Sequence, residues 1–255
     1  MSIIELVYSP VFIAGLFFIV AFVYSSVGLG GGSSYTALMA ILRFNAMAIP
    51  MISLSLNLLV TSIGSFNFIR NRHVRWRLIA PFLITSIPMS YLGGSLQLPK
   101  TVFYWLLFVS LLFVVARIYL WRETSLQLNL STRGKLVVSL VAGSVLGLIA
   151  GIVGIGGGIY LVPLIIILGL GKGQQAAACG AIFVWLNSAA GLASRLQYNA
   201  IDLGGYIPLI IAVILGGWLG SYLGSTRFSA RKMEKILGLI ILVALAFLGR
   251  KLLFS

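Results

Sequence analysis

The 255-residue sequence is almost without the side chains that form disulfides, metal centres or acid–base pairs. It has one cysteine, one histidine and four acidic residues, Glu5, Glu123, Asp202 and Glu234. A single cysteine excludes an internal disulfide and any metal motif that needs several cysteines. The acidic residues all lie at or near the ends of apolar segments, so no pair of carboxylates points to acid–base catalysis. We therefore expect no enzyme activity, no metal and no cofactor.

Apolar residues, by contrast, make up 60% of the chain and charged residues only 9%. The mean hydropathy of +1.10 lies far above that of a soluble domain. Apolar segments of about 17 to 25 residues can span a hydrocarbon core, and the sequence places them at 8–24, 46–69, 78–96, 101–121, 136–153, 174–194, 204–224 and 233–253. Backbone groups in lipid must bond within the segment. We predict an all-α integral membrane protein with 8–10 membrane segments.

The net charge of +14 is concentrated in short loops between these segments. Twelve of the eighteen basic residues form three clusters: Arg70, Arg72, Arg75 and Arg77; Arg117, Arg122, Arg133 and Lys135; Arg227, Arg231, Lys232 and Lys235. Such clusters indicate cytoplasmic loops that contact anionic lipid headgroups in the bilayer, and they favour this over a nucleic-acid partner. We predict a multi-pass membrane protein with both termini outside.

The sequence also repeats itself. The spacing of 126 residues between Gly28 and Gly154 recurs in their neighbours, since Gly30, Gly31 and Gly32 correspond to Gly156, Gly157 and Gly158. We predict an N-terminal repeat over 1–121, a basic cytoplasmic linker over 122–133 and a C-terminal repeat over 134–255. The charged loops start the first repeat outside and the second inside, so the repeats are predicted to be inverted, as in many secondary transporters.

Each glycine cluster lies in a segment, 11–42 or 136–170, that is too short for two full crossings, which need about 40 residues or more. We predict a broken pair of helices with glycine at the turn, and the sequence leaves open whether the pair crosses or re-enters. Glycine permits the break because it adopts positive φ and allows close approach to the backbone. Helices that restart at Ser33 and Ile159 would present free N–H groups, which favour an anion.

We therefore predict a substrate site for a small anion. Its candidate residues are Gly28, Gly30, Gly31, Gly32, Ser33, Ser34, Tyr35, Asn57, Ser62, Gly154, Gly156, Gly157, Gly158, Tyr160, Asn187, Ser188 and Arg195. Helix packing is the alternative for the polar residues, and an interfacial anchor is the alternative for Arg195. A nucleotide-binding loop is disfavoured because no Lys-Ser/Thr pair follows either cluster. Glycines spaced by four, as in Gly143, Gly147 and Gly151 or Gly216, Gly220 and Gly224, are predicted to serve packing.

Two pairs of segments carry a resemblance to a known family. "SSVGLGGGSS" (25–34) and "GLIAGIVGIGGGIYLVPLIII" (147–167), with "RNRHVRW" (70–76) before "LIAPFLITSIPMSYLGG" (78–94), resemble the sulfite exporter TauE/SafE family over essentially the whole chain. The resemblance implies a multi-pass transporter of the cell inner membrane that exports small sulfur-containing anions such as sulfite, sulfoacetate or related organosulfonates. It maps the family's motif onto the eight glycines and Pro163, although Ala37 stands where the first repeat would have this proline.

Two other functions remain open from the residues alone: an anion channel, and a membrane scaffold that transports nothing. A homodimer is an arrangement that the sequence also leaves open. No buried carboxylate is evident for proton or sodium coupling. A membrane potential of 100 mV contributes about 2.3 kcal/mol per charge, which would be sufficient to drive the export of an anion.

Overall fold

The computed structural model describes residues 9–26, 29–120, 130–200, 204–224 and 230–253. These residues form ten α-helices and one short 3₁₀ helix, and no strand occurs among them. In chain order the helices are α1 Pro10–Ser26, α2 Gly32–Ile41, α3 Ala48–Arg70, α4 Trp76–Ser95, α5 Lys100–Leu120, α6 Thr132–Val153, α7 Gly158–Ile167, α8 Gly173–Arg195, the 3₁₀ helix Gly204–Tyr206, α9 Ile207–Gly224 and α10 Ala230–Leu253.

Seven segments of this described part are long and apolar enough to cross a membrane: α3, α4, α5, α6, α8, the segment Gly204–Leu223 and most of α10. Their bounds lie within a few residues of the predicted ones. The helices α1 and α7 are apolar but shorter, with 17 and 10 residues. The prediction of an all-α membrane protein is confirmed. The segment predicted over 8–24 corresponds to α1, whose 17 residues are at the lower limit of a full span.

Glycines spaced by four join the two halves of the chain. In α6, Gly143, Gly147 and Gly151 lie against the backbone of α4, and a Cβ at Gly147 would lie 2.3 Å from the carbonyl oxygen of Ser86. In α9, Gly216 and Gly220 lie against α1 in the same way. Such close approach of two helices leaves no room for side chains larger than hydrogen. The prediction that these glycines serve packing is confirmed for the five that the structure describes.

These contacts also give the direction of each helix. A Cβ at Gly216 would lie 2.4 Å from the carbonyl oxygen of Phe18, and one at Gly220 would lie 2.1 Å from that of Phe22. Because both residue numbers rise together, α1 and α9 run parallel and begin at the same end of the bundle. The rings of Tyr206, just before α9, and Phe44, just after α2, are 6.2 Å apart. Hence α2 ends at the end of the bundle where α1 begins.

The second glycine pair returns to its starting end as well. A Cβ at Gly169, just after α7, would lie 3.9 Å from Nζ of Lys135, in the first turn of α6. Gly171 lies beside Leu78, at the beginning of α4, and this is the end of the bundle opposite to Phe44. Each pair therefore ends at the end of the bundle where it begins, and the two pairs start from opposite ends. The inverted orientation of the two halves across a bilayer stays a prediction.

The repeat spacing reappears in the contacts between halves. Gly93 of α4 lies against the carbonyl oxygen of Leu148 in α6, and the corresponding Gly220 of α9 lies against that of Phe22 in α1. The two halves are thus interleaved, each packing its fourth helix on the first helix of the other. The division into 1–121, 122–133 and 134–255 stays a prediction. Residues 121–129 lie outside the described part, and α6 already begins at Thr132.

Candidate functional site

The first break separates α1 from α2. Gly31 precedes α2 with a φ of 96°, a left-handed conformation that favours glycine. Gly28 lies outside the described residues. The backbone N–H groups of Gly32 and Ser33 find no hydrogen-bond acceptor within the described part of the chain. Such groups are the unpaired donors of a helix beginning.

Two serine side chains at this helix beginning are already engaged. The hydroxyl of Tyr24 in α1 hydrogen-bonds to the hydroxyl of Ser33 and, at 3.0 Å, to that of Ser34. The ring of Tyr35 folds over Gly31 and stacks on Phe17 with centroids 5.3 Å apart. The hydroxyl of Tyr35 is buried and has no partner among the described residues. These side chains therefore hold α2 against α1, and no described residue accepts a hydrogen bond from the N–H groups of Gly32 and Ser33.

The second break is formed by three glycines with left-handed backbone. Gly154, Gly156 and Gly157 have φ values of 81°, 79° and 77°. Helix α6 ends just before Gly154, and α7 begins just after Gly157. No described residue accepts a hydrogen bond from the N–H groups of Gly158 and Ile159. The second break thus repeats the free donors of the first.

The two breaks touch each other in the middle of the molecule. A Cβ at Gly32 would lie 2.8 Å from the carbonyl oxygens of both Gly154 and Ile155. Ser53 in α3 donates a hydrogen bond to the Gly154 oxygen at 2.7 Å and lies 3.3 Å from that of Gly32. Thr36 in α2 donates to Ser53 at 3.0 Å. The two glycine clusters that correspond in the sequence repeat are therefore brought together in space.

An amide and a hydroxyl next to these breaks have atoms without partners. Asn57 and Ser188 are both 0% exposed, and the described residues offer no partner to Asn57 Oδ1 or Ser188 Oγ. A Cβ at Gly156 would lie 3.1 Å from Asn57 Nδ2 and 3.4 Å from Ser188 Oγ, while one at Gly30 would lie 2.7 Å from Asn57 Oδ1. Buried polar atoms are nearly always paired. Asn57 and Ser188 thus both lie beside Gly156 with an unpaired atom, and binding of a polar ligand there stays a prediction.

Other predicted site residues lie away from this point. Ser62 is exposed and accepts a hydrogen bond from Trp185 Nε1 at 2.9 Å. The hydroxyl of Tyr160 donates to the carbonyl oxygen of Ser110 at 2.6 Å. The amide of Asn187 donates to Ser86 at 3.0 Å and to a carbonyl oxygen of its own helix. These contacts link helices to one another, and a role of these three residues in substrate binding stays a prediction.

Arg195 contacts the end of the broken helix α6. Its Nη2 donates to the carbonyl oxygens of Gly151 and Ile152 at 3.0 and 2.8 Å. These are unpaired carbonyls at a helix end, where the helix dipole favours a positive charge. Arg195 is only 8% exposed, and its Nε has no partner among the described residues. This residue therefore does more than anchor the chain at an interface.

A cavity of about 410 Å³ adjoins Arg195 at the end of the bundle that carries Phe44. Its described lining contains three cations, Arg43, Lys100 and Arg195, and no acidic residue. Pro50, which also lines it, contacts the second break, since a Cβ at Gly154 would lie 2.8 Å from Pro50 Cα. One layer of residues thus separates a positively charged cavity from the glycine breaks.

The site also contains residues that the predicted set lacks. Ser53 and Thr61 share a helix face with Asn57 in the sequence, and both are buried beside the breaks. Thr61 also corresponds to Ser188 at the repeat spacing, so the sequence contained a signal that could have identified Thr61. The sequence contained no signal for Val184, because a single valine in an apolar helix has no distinguishing pattern. Its side chain lies within 3.0 Å of the Cβ positions at Gly30 and Gly156.

Comparisons with known proteins agree with this architecture. The family model described as sulfite exporter TauE/SafE matches residues 13–248. The chain is 36% identical over 244 residues to the probable membrane transporter protein y4hK of Sinorhizobium fredii, which covers 93% of this chain and 96% of the relative. It is 25% identical to the probable membrane transporter protein YjnA of Bacillus subtilis, over 85% of this chain and 91% of that one. No solved structure matches. The chain belongs to the sulfite exporter TauE/SafE family and is a multi-pass membrane transporter.

Proposed function

We propose that this transporter exports small sulfur-containing anions, such as sulfite, sulfoacetate or related organosulfonates, and binds them where the two glycine breaks meet. The observation that carries the proposal is the contact between the breaks. Both α2 and α7 begin with N–H groups that find no acceptor among the described residues, and Asn57 Oδ1 and Ser188 Oγ, likewise without a described partner, belong to residues beside the breaks. The substrate class comes from the family description, and the site chemistry supports an anion.

The donors at the breaks suit a negative charge. Helix beginnings carry partial positive charge, and N–H groups aimed at a ligand bind oxyanions well. The hydroxyl of Ser188 can donate, and rotation of the Asn57 amide would replace its oxygen by its NH₂ group. All the site residues that the structure describes are uncharged. A small anion would therefore be held by neutral donors, which permits its release.

Access to the site requires movement. The side chains of Asn57 and Val184 lie between the breaks, and Ser53 connects them by hydrogen bonds. An anion can enter only when the two breaks separate. Rocking of one half against the other, with sliding at the contacts of α1 with α9 and of α4 with α6, would open the site to one end at a time. This favours alternating access over an open anion channel.

Flux into and out of liposomes containing the purified protein tests the proposal. Sulfite, sulfoacetate, thiosulfate, lactate and chloride are compared, with a membrane potential set by a potassium gradient and valinomycin. We expect saturable transport of sulfur oxyanions that reverses with the sign of the potential. Flux that rises linearly with concentration would indicate a channel. Absence of flux for every anion would indicate a scaffold, and strictly proton-dependent electroneutral flux would refute the voltage-driven mechanism.

A pair of leucine substitutions connects the flux to the breaks. Gly157→Leu places a side chain where a Cβ alone would lie 2.9 Å from the ring of Phe183, on left-handed backbone. Gly15→Leu is the control, since nothing lies within 4 Å of its Cβ position. We expect Gly157→Leu to abolish transport in protein that still inserts, and Gly15→Leu to transport normally. Retained flux in Gly157→Leu would contradict a site at this break.

A further inference from the structure

Arg43 has a backbone conformation that is usual for glycine. It follows α2 with a φ of 60°, and the N–H of Phe44 donates to the carbonyl oxygen of Met39 at 3.0 Å, the bond that closes a helix end. A left-handed residue with a side chain costs about 1 to 2 kcal/mol. Residues that keep such strain are found where the side chain has a function.

The second repeat has a glycine at the position that corresponds to Arg43. Gly169 is 126 residues beyond Arg43, with a φ of 61° after α7. The N–H of Leu170 donates to the carbonyl oxygen of Ile165 at 3.0 Å, which reproduces the bond at Arg43. The same helix end therefore forms with glycine and without strain. The backbone has no requirement for an arginine, so the reason for Arg43 lies in its guanidinium group.

Arg43 lines the 410 Å³ cavity together with Lys100 and Arg195. Arg195 is 8% exposed, and its Nη2 donates to the carbonyl oxygens of Gly151 and Ile152 in α6. The buried Nε of Arg195 has no partner among the described residues. Three cations and no acid in the described lining form a site for a negative charge.

We propose that this cavity is a second anion site, a vestibule that holds a small oxyanion between bulk water and the glycine breaks. The inference rests on the proposed function, since it assigns the vestibule to the transported anion. Pro50 connects the two sites, because it lines the cavity and contacts Gly154. This end of the bundle, where α1 begins, is the predicted outer end, so the clustered cations would hold an exported anion on its way out and would speed capture of an anion supplied from that side, an effect that salt screens.

The lining favours a small free anion over a phospholipid. Asn45, Gln97 and Asn199 also line the cavity, and an amide side chain can donate hydrogen bonds to an oxyanion. A neighbouring cavity of about 630 Å³ shares Arg43 and Lys100 but adds Arg250, Lys251 and the apolar side chains of α10. That second cavity has the mixed lining that would suit a lipid headgroup. An acidic lipid is therefore the alternative that the experiment must separate.

Arg43→Gly tests the vestibule, and Arg72→Gly is its matched control. Arg72 follows α3 with a φ of 55° and the same closing bond, from His73 N–H to the Phe68 oxygen at 3.1 Å, but at the opposite end of the bundle. Both substitutions relieve the same strain. With sulfite supplied at the end of the bundle that carries Phe44, we expect a roughly fivefold rise in KM in Arg43→Gly with kcat unchanged, since one exposed ion pair contributes at most about that factor. Its salt dependence should also become weaker, and KM in Arg72→Gly should not change.

Equal KM values in the two variants would overturn the vestibule. The lipid alternative is tested by thermal unfolding in nanodiscs of pure phosphatidylcholine and of phosphatidylcholine with phosphatidylglycerol. If Arg43→Gly loses a phosphatidylglycerol stabilisation but keeps its response to sulfite, the cavity binds lipid and the inference is wrong. If the unmodified protein transports none of the anions, the proposed function fails by itself. Sulfite-induced stabilisation that Arg43→Gly alone loses would then still support the second site, and its absence would reject it.

Discussion

Ser53 of the first half donates a hydrogen bond to the carbonyl oxygen of Gly154 in the second half, at 2.7 Å across 101 residues of sequence. A broken helix leaves its last carbonyls without helical partners, and in a membrane such groups must be satisfied by protein or water. Ser53 satisfies one of them and lies beside the carbonyl of the other break. The bond therefore holds the two breaks together, and it must change when the site opens.

Substitution Ser53→Ala should lower the free energy of unfolding by about 1 kcal/mol. The Gly154 oxygen would retain only the long contact to Asn57 Nδ2, at 3.5 Å, and a buried acceptor that loses its partner destabilises by roughly this amount. Ser55→Ala is the control, because the Ser55 hydroxyl bonds to a carbonyl of its own helix at 2.9 Å. Thermal unfolding in detergent measures both. Equal midpoints would show that Ser53 does not connect the breaks.

Substitution Gly32→Ala should separate the breaks. Its Cβ would lie 2.8 Å from the Gly154 and Ile155 carbonyl oxygens and 2.4 Å from Asn57 Nδ2. Backbone atoms cannot move aside as a side chain can, so we expect a loss of about 1 to 3 kcal/mol in unfolding free energy and loss of transport.

The matched control for Gly32→Ala is Gly64→Ala in α3, where nothing lies within 4 Å of the added Cβ. Removing a glycine from an open helix position should leave stability unchanged or raise it by up to about 1 kcal/mol. Unfolding and sulfite flux are measured on both variants. Normal flux in Gly32→Ala would mean that close contact of the breaks is unnecessary for transport.

Substitution Ser188→Ala should separate binding from stability. Its hydroxyl has no partner among the described residues, so removing it breaks no hydrogen bond and should leave the unfolding midpoint unchanged or slightly higher. We expect KM for sulfite to rise about tenfold, the effect of one lost hydrogen bond to a charged group. In the control Ser139→Ala, a buried hydroxyl bonded within its own helix is removed. A KM that is unchanged in Ser188→Ala would place the anion elsewhere.

Much of this arrangement could be predicted from local sequence signals. Apolar length gave the helices, and dense glycine gave the two breaks. The exposure of Ser62 could not be predicted from such signals, because consecutive residues of a helix point about 100° apart. Thr61 is buried beside the breaks, while Ser62 is exposed and bonds to Trp185. The partner of Tyr160 is a carbonyl oxygen 50 residues away, and no local pattern predicts such a contact.

Substitution Arg195→Lys should reveal how much of this residue's role is structural. Lysine keeps the charge but cannot reproduce the geometry with which one guanidinium nitrogen reaches the Gly151 and Ile152 oxygens at 3.0 and 2.8 Å. We expect the free energy of unfolding to fall by about 1 to 2 kcal/mol, while KM for sulfite rises less than in Arg195→Gln, which removes the charge as well. Arg77→Lys, at an exposed arginine of the opposite end, should change neither quantity. If Arg195→Lys behaves like Arg77→Lys in unfolding, the two carbonyl bonds contribute nothing measurable, and Arg195 acts only as an interfacial charge.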